Sequence, residues 1–231
     1  MSALACAGNA PTAGKATVHV IDDDVSLRDA LGLLLPSVGL DVRTYTSVQE
    51  FLDGCAYDAP GCIVLEVRLP GISGLDFQSR RDGLGVHLPI VLMTGHGDVP
   101  MSVRAMKAGA VDFLPKPFRD QDMIDAVATA IERDRQRRTA DEGAAAIRNR
   151  YASLSPREKQ VMTLVTAGKM NKEVAFDLGL SEITVKNHRS AAMQKMGART
   201  FANLVRMAEA LAPTSYQALP NSPFVSLPHY G

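Results

Sequence analysis

Four kinds of side chain in this sequence are suited to handling a hard metal ion and a phosphoryl group. They are the carboxylates of Asp22, Asp23 and Asp24, the carboxylate of Glu66, the hydroxyl of Thr94 and the ammonium of Lys116. Each stands at or just past the end of a short apolar run. Carboxylates crowded on one edge of a sheet repel one another, and an oxygen-seeking cation such as Mg²⁺ relieves that repulsion. A lysine and a hydroxyl on the opposite side would grip a phosphoryl group bridging to the metal. An aspartate triplet alone is often an ordinary turn. A Thr and a Lys-Pro at matching strand ends weaken that plainer reading.

The elements that must position these groups follow from hydrophobic periodicity. Strands are predicted at Thr17–Ile21, Asp41–Thr44, Gly61–Glu66, Pro89–Met93 and Val111–Leu114. Several are unbroken runs of Val, Ile and Leu, as strands buried on both faces require. Helices are predicted at Val25–Val38, Val48–Leu52, Gly74–Asp82, Val99–Ala108 and Gln121–Arg137. Strands alternating with helices give a doubly wound parallel α/β sheet with helices on both faces. In such sheets chemistry sits outside the carboxyl ends of the strands, where the acidic groups, Thr94 and Lys116 fall.

A second constellation lies near the other end of the chain. Ser155-Pro156-Arg157-Glu158 reads as a helix start, with Ser as N-cap, Pro at the first helical position and Glu three residues after the cap. Helices are predicted over 156–167, 171–178, 182–196 and 201–211, an all-α four-helix module. Gly179 supplies the turn between two of them and Ser181 caps the next. Val185, Ala192 and Met196 share an inward face, while Lys186, Asn187, Ser190 and Gln194 share a polar one. Such a face is long and polar enough to reach base edges in a major groove.

Five organisational units are expected: a disordered leader over 1–16, an α/β domain over 17–130, a helical linker over 131–153, the helical module over 154–212 and a disordered tail over 213–231. The linker mixes charge signs without a wide apolar face, so it reads as a solvated connector with an interruption at Gly143. The tail carries four prolines and no charged residue. Net charge is zero, but its distribution is uneven. Residues 1–130 hold 10 Lys and Arg against 16 Asp and Glu, residues 131–150 hold 6 against 4, and residues 151–231 hold 9 against 5. An acidic front and a basic back imply different partners. Cys6, Cys55 and Cys62 have no metal-type spacing and read as cytosolic thiols. No apolar run is long enough for a membrane span, and the leader lacks the features of a secretory signal, so a cytoplasmic protein without a membrane partner is expected.

The stretches VHVIDDDVSLRDAL, CIVLEVRLPGISGLDF and PIVLMTGHGDVPMSVRAMKAGAVDFLPKPF resemble the response-regulator receiver family over about 115 residues. The intervals are 44 residues from Asp22 to Glu66, 28 to Thr94 and 22 to Lys116. The resemblance implies that Asp22, Asp23, residue 66 and the carbonyl of Arg68 hold Mg²⁺. It implies that Thr94 donates to a phosphoryl oxygen, that Lys116 pairs with the charge at residue 66, and that Lys116–Pro117 is cis. Phe113 would be the aromatic that reports the state of Thr94. Residues 154–211 resemble the LuxR-type helix-turn-helix, carried by Leu154-Ser155-Pro156-Arg157-Glu158, Asn171-Lys172-Glu173-Val174-Ala175 and Thr184-Val185-Lys186-Asn187-His188-Arg189. That likeness implies base reading by Lys186, Asn187 and Ser190 and phosphate contact by Lys172, Thr184 and Arg189, with His188 in packing or phosphate contact.

The receiver pattern calls for aspartate at position 66, and this chain has Glu66. A longer arm displaces the carboxylate by roughly 1 Å, a misplacement that can cost about 100-fold in rate. Three readings stay open here. Glu66 is a partial phosphomimic of natural origin, or the same mimic introduced deliberately, or the mark of a degenerate receiver that dimerises without phosphorylation. The expected function is a non-enzymatic, DNA-binding transcription regulator of a two-component phosphorelay, biased toward an active dimer. Its expected partners are promoter duplex DNA, a sensor histidine kinase and a second copy of the chain, with RNA polymerase as a further candidate. A Mg²⁺-dependent phosphohydrolase is the rival, although it would need an aspartate nucleophile and a substrate cap. An adaptor that has lost DNA binding is another.

Overall fold

The computed structural model describes residues 15–54 and 59–211. Most of the expected leader, the whole expected tail, Cys6 and Cys55 lie outside the described residues. The chain divides into two compact units between Thr139 and Ala140.

The first unit holds β1 (Thr17–Ile21), α1 (Val25–Ser37), β2 (Asp41–Tyr45), α2 (Val48–Gly54), β3 (Gly61–Glu66), α3 (Gly74–Arg80), β4 (Ile90–Thr94), α4 (Val99–Lys107), β5 (Asp112–Pro115) and the start of α5 (Asp120–Ala152). The strands form one parallel sheet in the order β2-β1-β3-β4-β5. Alternation along each strand splits the core into two layers. Ile63 and Leu65 of β3 pack with Phe51, Phe77, Ile90 and Leu92 on one face. Cys62 and Val64 pack with Leu31, Leu35, Val91, Met93 and Val127 on the other. Full burial of one such side chain stabilises by roughly 1.5–3 kcal/mol, and both faces are filled this way.

The elements differ from the sequence-based expectation at their edges. β4 and β5 each begin and end one residue later than expected. Pro89 has no N–H to donate, so its carbonyl accepts from Ile63 while two-sided pairing starts at Ile90. α3 stops at Arg80, and a single 3-10 turn over Arg81–Leu84 finishes at Gly85 with φ +73°.

α5 runs without a break from Asp120 to Ala152, straight through Gly143, where an interruption was expected. One glycine costs a helix about 1 kcal/mol, which the long flanking run of helix formers outweighs. The reading of this stretch as fully solvated also missed Asp134, which is buried. Its carboxylate accepts from Gly61 N–H at 3.1 Å, from Arg137 at 2.7 Å and from Arg138 at 2.6 Å, while Arg138 also donates to Ala59 O. A charged latch thus fastens α5 to the chain entering β3.

The second unit comprises the end of α5 with α6 (Pro156–Thr166), α7 (Asn171–Leu178), α8 (Glu182–Met196) and α9 (Phe201–Leu211). Val161, Val165, Val174, Val185, Ala192, Met196 and Leu204 form its core, with Ile147 and Tyr151 of α5 packed against it. The expected capping box is present: Ser155 Oγ accepts from Glu158 N–H at 3.2 Å and Ser155 N–H donates to Glu158 Oε2 at 2.7 Å. Gly179 ends α7 with φ +64°, as the turn before α8 requires.

Candidate functional site

The carboxyl edge of the sheet brings together three of the predicted groups. β1 and β3 are adjacent and parallel, so Asp22 and Glu66 leave neighbouring strands at the same edge. Lys116 arrives on the chain following β5, across a cis peptide to Pro117, as expected. Its Nζ lies 2.6 Å from Asp22 Oδ2 and 2.6 Å from Glu66 Oε2. The remaining oxygens are also engaged: Asp22 Oδ1 accepts from Asp24 N–H at 2.8 Å, and Glu66 Oε1 accepts from Arg68 N–H at 3.0 Å. One ammonium therefore serves two buried carboxylates.

Burial pushes the Asp22 carboxyl above its ordinary value, against the pull of the Lys116 ammonium and the Asp24 N–H, and the charge on Glu66 adds to the rise. Burial works to lower Lys116 as well, but its hydrogen bonds to Asp22 and Glu66 outweigh that and hold the ammonium above its ordinary value. Lys116 stays charged, and the triad carries a net negative charge when both carboxylates are ionised.

The other predicted residues sit nearby in different roles. Asp23 is exposed beside Asp22, and Asp24 caps α1 by accepting from Ser26 and Leu27 N–H. Thr94 is buried at the end of β4, and its hydroxyl accepts from His96 N–H at 3.3 Å; among the described residues it makes no hydrogen bond to Glu66. Phe113 is half-buried against the core on the Phe51 side of the sheet. Gly97 lies between Phe113 and Thr94, and a Cβ there would stand 2.9 Å from the Phe113 ring and 3.2 Å from Thr94 Cγ2. Gly74 is similarly placed under the site, where a Cβ would meet Glu66 O at 2.4 Å. Neither glycine was singled out from the sequence, because only the folded loops reveal what they approach.

The donor set is all oxygen, as a hard dication prefers. Among the described residues, however, no three carboxylate, His or Cys side chains are grouped closely enough to hold a metal ion. Asp22 and Glu66 spend their oxygens on Lys116 and on backbone N–H groups. As arranged, the Lys116 ammonium is the cation between Asp22 and Glu66, with Asp23 exposed beside them.

In the second unit α8 exposes Lys186, Asn187 and Ser190, and α7 exposes Lys172. Thr184 and His188 are half-buried, and the Thr184 hydroxyl lies 2.8 Å from that of the cap residue Ser181. Arg189 has work inside the fold: its guanidinium stacks 4.5 Å from the centre of the Phe201 ring and reaches Asn171 Oδ1 at 3.4 Å, joining α7, α8 and α9. Lys195 pairs with both oxygens of Glu158 at 2.9 and 2.8 Å, tying α8 to the cap of α6. The hydrogen bond from Lys195, then that from Ser155 N–H, holds the Glu158 carboxyl below its ordinary value.

Comparison with known proteins matches both units. The response regulator receiver domain model covers residues 18–128, and the model for bacterial regulatory proteins of the luxR family covers residues 152–208. Nodulation protein W of Bradyrhizobium diazoefficiens is 53% identical over 204 residues, 88% of this chain and 90% of that protein. The transcriptional regulatory protein FixJ of Azorhizobium caulinodans is 46% identical over 191 residues, 83% of this chain and 90% of that one. Among solved structures, the response regulator StyR is 45% identical with a TM-score of 0.74, covering 84% of this chain and 98% of that one. Full-length FixJ from B. japonicum is 42% identical with a TM-score of 0.51, covering 85% and 97%.

Proposed function

The chain belongs to the two-component response regulators that carry a LuxR-type DNA-binding domain, and from that premise we propose that its receiver is set by the fixed charge of Glu66 rather than by phosphotransfer. A DNA-binding transcription regulator of this family pairs with a sensor kinase and with DNA. Receivers in general bind Mg²⁺ for phosphorylation, and here one ammonium from within the chain, Lys116, stands between the two carboxylates and offsets part of their charge. The observation that carries the proposal is the position of Lys116 Nζ, 2.6 Å from both Asp22 and Glu66. Glu66 thereby sets its carboxylate against Lys116 without any phosphoryl group. It supplies about one charge where a phosphoryl group adds roughly −1.5 to −2, and it leaves Thr94 bonded to His96, so the mimicry is partial.

On this reading the receiver favours the dimer-forming state without a donor, and α8 reads promoter DNA in the major groove. Lys186, Asn187 and Ser190 meet base edges. Lys172, Thr184 and Arg189 touch phosphate, with His188 between packing and phosphate contact. The decisive comparison sets this chain beside Glu66→Asp, with and without acetyl phosphate and Mg²⁺, reading oligomeric state by sedimentation and DNA affinity by titration. The parent should dimerise and bind equally well with or without donor, while Glu66→Asp should bind weakly until phosphorylated. Stoichiometric labelling of the parent at Glu66, or a Glu66→Asp protein indifferent to donor, overturns the proposal.

A further inference from the structure

Helix α8 presents Ile183, Lys186, Asn187, Ser190 and Gln194 to solvent, and spacings of three or four residues keep them on one face. The opposite face, Val185, Ala192 and Met196, is buried. Four of the five exposed side chains are polar. The fifth, Ile183, is 72% exposed and has no place in the packed core of its unit. Met170 and Phe176 are also exposed, but they belong to the N-cap and body of α7 and stand off this stripe. Core packing therefore does not account for a branched apolar side chain at the second position of α8.

Its neighbours say what it faces. Lys186 and Asn187 lie one turn further along the same stripe, and residues 151–231 hold 9 Lys and Arg against 5 Asp and Glu, a balance suited to a polyanion. In helix-turn-helix proteins the first residues of the second helix meet base edges in the major groove. There thymine alone among the unmodified bases carries a C5-methyl group, which apolar side chains read by contact. An isoleucine has no donor for phosphate, so on a groove-facing stripe the methyl group is its natural counterpart.

We infer that Ile183 is a specificity-determining residue that packs on a thymine C5-methyl beside the bases met by Lys186 and Asn187. The inference rests on α8 being the groove-reading helix, as proposed above. It adds a hydrophobic reading position to a face whose other members read by hydrogen bonds.

The test uses the full-length protein and a duplex selected by it from a randomised pool. Each thymine is replaced in turn by uracil, which deletes only the methyl group, and affinity is measured at one fixed salt concentration. At one thymine per half-site, the change should weaken the parent protein about fourfold, the factor for one buried carbon group. Ile183→Ala should bind the all-thymine duplex about as weakly as the parent binds that uracil duplex, and should be indifferent to the substitution. Ile183→Val should keep the sensitivity. Because Ile183 is exposed, the melting temperature of both variants should match the parent. If Ile183→Ala binds like the parent, or responds to every uracil as the parent does, the inference fails. Lys186→Ala separates this from the broader reading. Unchanged binding by that variant removes α8 from the groove altogether, whereas weakened binding by Lys186→Ala beside an unaffected Ile183→Ala sinks the role of Ile183 alone.

Discussion

Glu66 reaches Lys116 with one oxygen and the Arg68 N–H with the other, so its position is fixed by two partners of different kinds. Gly97 shows how tightly the Thr94 side of the same edge is built. An alanine there would press its methyl group to 2.9 Å from the Phe113 ring and 3.2 Å from Thr94 Cγ2. Gly97→Ala should therefore destabilise the first unit by about 1–3 kcal/mol and turn the Phe113 ring, read by urea unfolding and by the NMR signals of that ring. An unchanged ring and unchanged stability would show that the loop yields freely. The acidic residues, Thr94 and Lys116 were legible in the sequence because their types and strand-end positions carry the chemistry. The sharing of Lys116 between Asp22 and Glu66 was not, since it depends on where two side chains end rather than where their strands do. Gly97 and Gly74 were silent for the same reason: a missing Cβ has meaning only beside the atoms it would strike.

Strands and helices were readable from the alternation of apolar runs with amphipathic stretches, and their errors are instructive. Pro89 shifted the start of β4 because pairing needs an N–H. Gly143 failed to break α5 because one poor helix former cannot stop a long helix. Asp134 was hidden in a run of mixed charges that looks solvated, and no periodicity marks a carboxylate whose partners are Arg137, Arg138 and the Gly61 N–H. Removing one member of a buried charged cluster strands the others. Asp134→Ala should lower the stability of the first unit by about 3–5 kcal/mol, seen as a reduced urea midpoint, whereas Asp125→Ala on the exposed side of α5 should have little effect. Equal, small shifts in both variants would show that the latch is ornamental. The four helices of the second unit were predicted within one residue at each end, because Ser155, Gly179 and Ser181 punctuate them through caps.

Across the molecule, two units with separate cores should unfold with separable transitions, and one buried histidine allows them to be told apart. His19 lies inside the first unit with its Nδ1 3.2 Å from the Tyr45 hydroxyl and its ring against Phe51. Burial, and then the charge of Arg43, lowers its pKa from 6.5 to about 4. The unfolded chain thus binds a proton between those values that the folded chain refuses. Stability of the first unit should be undiminished above pH 6.5 and fall by about 3 kcal/mol as pH drops toward 4. Calorimetry should show one transition moving down over that window, and His19→Phe should flatten its slope; two transitions that move together would refute the assignment. In the second unit, Arg150 at the end of α5 donates to Met196 O at 3.1 Å, the carbonyl that closes α8. The last turn of α5 and the last turn of α8 are therefore moored to each other at a single carbonyl.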